Sequence, residues 1–307
     1  MFRPLSLVAA LLFYAPALAD AQNPAAANPS PANPEAPPAA AAAAPQDAAR
    51  SAGRTLDEAR VRINRLRTAA ADLRMTAVVD GHRFVTEGRL LLASGGRVRL
   101  ELNPTAEQEG VGPALLQVNN GIVMNTRYAV GDRVAVTRRN VRTVREAAAE
   151  RPSGAGLAGD LASGGLAGAL ASLRTAMRWE EPETATISDR SYVVLTGRWT
   201  ADAREALDVR PDALKPDGVT VHLDAERLFP QRIRYWTQEP GGPRVPTLTL
   251  TISEVVLNGA LPADAFDFPL TDGIEVDDQT ERAVTRARTA GTPLAAKPQD
   301  PEELEEE

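Results

Sequence analysis

The chain has 307 residues, a formal net charge of -7 at pH 7, two histidines and no cysteine. Without cysteine it has no disulfides, no thiolate chemistry and no Cys-based zinc site. An acidic chain whose arginines stand singly along strands rather than in clusters is unsuited to nucleic acid.

Met1 to Ala19 reads as a secretory signal: Arg3 supplies the charge, Leu5 to Ala15 the apolar core, and Ala17-Leu18-Ala19 the cleavage motif. A spanning helix needs roughly 20 apolar residues; this run is shorter and is bounded by Pro4 and Pro16, so export with cleavage after Ala19 is expected. No cysteine follows that site to carry an acyl group. Residues 20–53 are mostly Ala, Pro, Asn and Gln and are expected to be a disordered linker, because prolines break the polyalanine helix tendency. A single domain over 54–285 and an acidic disordered tail over 286–307 complete the expected layout.

The first expected helix is Thr55–Ala71. Thr55 and Glu58 have capping-box spacing, and Leu56, Ile63, Leu66 and Ala70 fall near one face. Strand signals follow closely. Leu73, Met75, Ala77 and Val79 alternate with polar residues up to Asp80-Gly81, Phe84–Ala93 makes a second strand, and Gly95-Gly96 turns the chain into Arg97–Leu102. There Val98, Leu100 and Leu102 point one way and charged residues the other. Asn119-Asn120-Gly121 between two apolar runs predicts a hairpin, and Arg133–Thr137 continues after Gly131-Asp132. Short strands joined by tight turns imply an antiparallel meander.

Pro152–Met177 breaks the pattern. Gly154, Gly156, Gly159, Gly164, Gly165 and Gly168 precede or interrupt Leu166, Leu170, Leu173 and Met177, which recur at helical spacing. Two readings stand side by side: a helix packing its leucines on the sheet, or a movable lid whose glycines lower the cost of displacement. Strands resume at Tyr192–Trp199, Val219–Leu223 and Ile233–Thr237. The last long strand, with Leu248, Leu250 and Ile252 on its apolar face, runs to Leu257 and stops at Asn258-Gly259. Leu261-Pro262 follows, then Phe266-Asp267-Phe268-Pro269 as an extended segment, Asp272-Gly273, and Ile274-Glu275-Val276.

This closing order resembles the C-terminal end of the LolA/LolB-like superfamily of periplasmic lipid and lipoprotein carriers. "DAERLFPQ" at Asp224–Gln231 resembles the Pro-interrupted strand before that family's final hairpins. The likeness extends in element order over roughly Leu56–Thr280. It departs at Ser94-Gly95, which stands about where the family carries an Arg-Pro pair, and at Ile122, Val123 and Met124, which replace aromatics. In the lipoprotein carrier that arginine helps hold a lid shut; Arg97 and Arg99 lie on the outward face of their strand and do not inherit the role.

The resemblance implies a mainly β, α+β fold: a curved antiparallel sheet half-closed into a barrel, with both helices on its concave side. It implies a non-catalytic, periplasmic, monomeric protein binding a lipid, an acyl chain or an acylated protein, or else an interaction or envelope-stress sensor module contacting envelope proteins. The residues expected to line a groove are Val98, Leu100, Leu102, Leu248, Leu250 and Ile252, closed by Leu166, Leu170 and Leu173. A filled core would favour the interaction module and an open apolar groove the carrier.

Residue chemistry points away from catalysis. His82 sits beside a turn, and His222 is expected on a solvent-facing strand face. No nucleophile elbow, phosphate loop or dinucleotide fingerprint occurs. The carboxylates Glu180, Glu181, Asp264, Asp267, Asp272, Asp277 and Asp278 read as solvated turn residues, so no cofactor, metal or catalytic residue is assigned.

Overall fold

The computed structural model describes residues 45–79, 81–105, 114–149, 161–205, 216–269 and 273–289. The signal, most of the expected linker, the tail from 290, Asp80, Asp272 and the glycines at 154, 156 and 159 lie outside them.

Helix α1 is Pro45–Asn64, so it starts ten residues before the expected Thr55 and ends before Ala71. Thr55 lies inside it and donates its hydroxyl to the Ser51 carbonyl at 3.1 Å instead of capping. The stretch 45–53, expected as linker, is helical. The sequence supports that start, since Pro at a helix N-terminus gives up an N–H that has no partner anyway, and Asp47 lies in the first turn. Ala52, Leu56, Ala59 and Ile63 form its buried stripe.

The strands are β1 Thr68–Val79, β2 His82–Ala93, β3 Arg97–Pro104, β4 Ala114–Asn119, β5 Val123–Val130 and β6 Arg133–Asn140. Then come α2 Val141–Ala149, α3 Leu161–Ala176, β7 Met177–Trp179, β8 Glu183–Ile187, β9 Arg190–Trp199 and α4 Ala201–Glu205. The chain closes with β10 Gly218–Asp224, β11 Pro230–Gln238, β12 Arg244–Leu257, β13 Val276–Asp278 and α5 Thr280–Thr289. Met177, expected to end the helix that carries Leu166, Leu170 and Leu173, begins β7.

The thirteen strands of the described residues form one sheet in the order β13-β6-β5-β4-β3-β2-β1-β12-β11-β10-β9-β7, with β8 beside β7 on the outer edge of β9. Every pairing is antiparallel except β13 on β6. The long-range join is β1 on β12, where Leu73 faces Ile252 and Met75 faces Leu250. The sheet is curved and open, and α1 and α3 pack into its concave face, as expected.

Period-two patterning explains the inside and outside of this sheet. Ala69, Ala71, Leu73, Met75 and Ala77 of β1 are buried while Asp72 and Arg74 are exposed. The predicted hairpin is β4–β5, where Asn119 Oδ1 accepts from the Gly121 N–H at 2.8 Å and Asn120 Oδ1 from the Val123 N–H at 2.9 Å. Between β12 and β13, Ala263–Phe266 is a turn that takes in only the first residue of the expected extended run Phe266–Pro269, with Ala265 N–H bonding the Pro262 carbonyl and Asp267 N–H the Asp264 carbonyl. This strap is clipped to the convex face. The Arg97 guanidinium lies 5.1 Å from the Phe266 ring centroid and Arg99 donates to the Asp267 carbonyl at 3.3 Å.

Gly218 shows how tightly the convex face is packed. A Cβ there would overlap the indole of Trp236, its cross-strand partner, and the Gly197 carbonyl oxygen. Trp236 is itself buried, donates Nε1–H to Thr220 at 3.2 Å, and carries the Arg198 and Arg244 guanidiniums 4.9 and 4.8 Å from its ring. Gly218→Ala is expected to cost about 2 kcal/mol by overpacking, read as a lower urea midpoint at unchanged slope. An unaltered midpoint would show that β10 and β11 can part there without strain.

Candidate functional site: the concave face

The nine residues picked from the sequence all lie in one apolar cluster, each at most 3% exposed. The structure brings together α3's Leu166, Leu170 and Leu173 with Val98, Leu100 and Leu102, since α3 packs against β3, β4 and α1. The other trio, Leu248, Leu250 and Ile252, stands on β12, separated from β3 by β2 and β1. Sequence reasoning left out what lies between: Leu90 and Leu92 of β2, and Leu73, Met75 and Ala77 of β1. The same alternation that marked the chosen strands could have found them. It also left out Leu195, Val221 and Ile233, which continue the cluster through β9, β10 and β11, and α1's own stripe.

The concave face is therefore occupied by the chain's own side chains. A cleft of about 90 Å³ opens where the N-terminal half of α3 meets the β2–β3 turn, over Ile63, Leu66, Leu92, Val98, Gly165 and Leu166. Ligand pockets are usually ~300–1,000 Å³, so this cleft is smaller than such a pocket.

Helix α3 is held in place mainly by apolar burial. Its ion pair with α1, Arg174 Nε to Asp57 Oδ2 at 2.7 Å, joins side chains 45% and 43% exposed; such pairs contribute about 0–1 kcal/mol. Ser172 and Thr175 spend their hydroxyls on carbonyls of their own helix. Near its start the helix breaks at Gly165, with φ 60° and ψ -165°, a region essentially restricted to glycine. A Cβ added there would also press on Leu92 and Val98 at 3.4 Å.

His222 departs from expectation. It is 9% exposed, on the convex face, with Tyr192 edge-on at 6.2 Å and Arg232 directly across the strand pair. Neighbouring strands cover it, which the alternation of its own strand could not reveal. Burial first, then the charges of Arg232 and Arg234, hold its pKa down at about 4 against an ordinary 6.5. His82 is exposed. No group of three or more His, Cys, Asp and Glu poised for a metal occurs among the described residues.

The unfolded chain binds a proton at this histidine between pH 6.5 and 4 while the native state does not, so stability rises with pH across that window. The contribution is complete above about pH 6.5 and is lost as pH falls toward 4. His222→Gln should flatten the fall in melting temperature over this range relative to the wild type. Parallel curves would mean that the imidazole is already protonated in the fold.

No family model matches the chain, and no curated protein matches it in sequence. Solved structures do overlap it at low identity. The lipoprotein LppX from Mycobacterium tuberculosis is 14% identical, with 70% of this chain and 99% of that one covered at a TM-score of 0.37. A LolA superfamily protein from Nitrosomonas europaea is 13% identical over 71% of this chain and 98% of that one, at 0.30. The MucA/MucB complex of Pseudomonas aeruginosa contributes a match of 12% identity over 71% of this chain and 61% of that one, at 0.35. These are likenesses of general architecture; the strand order and register of this chain define its own fold. That fold is an open curved antiparallel sheet with two helices on the concave face.

Proposed function

We propose that this is a non-catalytic, exported envelope protein that takes the apolar chain of a lipid or of an acylated protein between the concave face of its sheet and helix α3. The observation that carries the proposal is α3 itself. It is an apolar helix broken at Gly165, tied to α1 by an exposed ion pair, and lying over leucines that an alkyl chain would bury equally well. The groove is made when the helix leaves it. Val98, Leu100, Leu102, Leu248, Leu250 and Ile252 are its proposed walls, and Leu166, Leu170 and Leu173 its plug.

Magnitudes give this reading a threshold. Exposing three buried leucines costs roughly 1.5–3 kcal/mol each, so about 5–9 kcal/mol in all, and each buried methylene returns ~0.8 kcal/mol. A chain must then bury on the order of 6–11 methylenes merely to balance displacement of the helix. The affinity arises from apolar burial, so head groups should be poorly discriminated.

The filled concave face favours a second reading, a protein-interaction or envelope-stress sensor module that uses the same sheet as a rigid platform. Binding of saturated fatty acids to delipidated, refolded protein separates the two. The carrier reading expects no binding of octanoate, firm binding of palmitate, and nearly equal binding of hexadecanol. Absence of palmitate binding would leave the interaction module in its place, and equal affinity for octanoate and palmitate would overturn the displaced-helix account.

A further inference from the structure

The convex face of β11 carries two arginines without carboxylates. Arg232 stands between His222 of β10 and Thr251 of β12, and Arg234 between Thr220 and Thr249. Two positions apart on one strand, they project from the same face about 7 Å from each other. Both are half-buried, and neither forms an ion pair among the described residues. The acidic groups nearby are otherwise engaged or set apart. Glu87 pairs with Arg74, Asp224 Oδ1 accepts from the N–H groups of Glu226 and Arg227, and Glu183 lies a strand further out, beyond Val194.

Like charges side by side and half out of water cost free energy unless an anion meets them. Two polar atoms beside these charges are left unsatisfied. Arg234 Nε and His222 Nδ1 are both buried with no hydrogen-bond partner, and His222 is more than nine-tenths buried. An unsatisfied buried polar atom costs about 1–3 kcal/mol, and here two stand at diagonal positions of one strand pair.

We propose that Arg232, Arg234 and His222 form a binding site for a phosphoryl group on the convex face. A single guanidinium fork satisfies a carboxylate, whereas two forks with threonine hydroxyls on either side suit a tetrahedral group bearing three or more acceptor oxygens. The phosphoryl group can belong to free phosphate or to a lipid head group. The site lies on the opposite face from the proposed chain-binding groove and does not depend on it.

The test is an NMR titration of the full chain with inorganic phosphate at fixed ionic strength and pH 7. The chain has two histidines, so His82→Gln assigns the ring signals. Saturable movement of the His222 signals is expected, lost in Arg232→Gln/Arg234→Gln and kept in Arg74→Gln, whose guanidinium on the same face already pairs with Glu87. Should the double glutamine variant fold poorly, Arg232→Lys/Arg234→Lys retains charge but not the forks, and at least a tenfold weaker response is expected. A parallel arm sediments the protein with phosphatidylglycerol vesicles. Vesicle binding that needs both arginines while free phosphate leaves His222 unmoved assigns the site to a lipid head group. An unmoved His222 with no vesicle binding overturns the proposal, as does a response that survives loss of both arginines.

Discussion

Covering one apolar face of a thirteen-stranded sheet is the constraint on which this molecule depends. The face runs from β3 through β12 to β9, and nearly every inward side chain along it is aliphatic. Left in water it would be an aggregation surface; turned inward it drives folding. The chain covers it with two helices of different character. α1 is long, carries a regular apolar stripe, and pins itself to the turn after β10 through Arg62, which donates to the Glu226 carbonyl at 2.5 Å. α3 is glycine-interrupted and is held mainly by buried leucines and alanines, with one exposed ion pair to α1. The proposed function rests on this difference between the two helices.

The two faces of the sheet divide the chemistry between them. Inside, the buried side chains are almost wholly apolar. Outside, the strap from β12 to β13 is clipped by Arg97 and Arg99 over the β3 side, and Trp236 is sandwiched between two arginines at the other side. Several arginines that stand singly in the sequence are thus brought by strand pairing onto the convex surface. Most find a carboxylate, a carbonyl or a ring; Arg232 and Arg234 find each other.

What could be read from the sequence was what local alternation encodes. Arg97–Leu102 and Thr247–Ile252 became strands with the expected residues inward, and Asn119-Asn120-Gly121 became the expected hairpin. Local signals were also missed. Asp278 and Glu281 flank the start of α5, where Asp278 Oδ1 accepts from the Thr280 N–H at 2.9 Å, a cap visible in the residues alone. The start of α1 was hidden because its alanines look like spacer, although Ala52 among them is fully buried in the fold. The burial of His222 was not legible at all. It requires Tyr192 from β9 and Arg232 and Arg234 from β11, and nothing local to Val219–Leu223 specifies which strands will flank it.

The central claim is that α3 is a separable cover and not a permanent part of the core. Native-state amide hydrogen exchange measures this directly, by comparing residues 166–176 of α3 with Leu248–Ile252 at the centre of the sheet. The account predicts that α3 exchanges through a partial opening whose free energy lies several kcal/mol below that of global unfolding, while the β12 amides exchange only when the whole domain unfolds. Equal opening free energies for helix and strand would contradict it, since the leucines of α3 would then be core in the same sense as those beneath them.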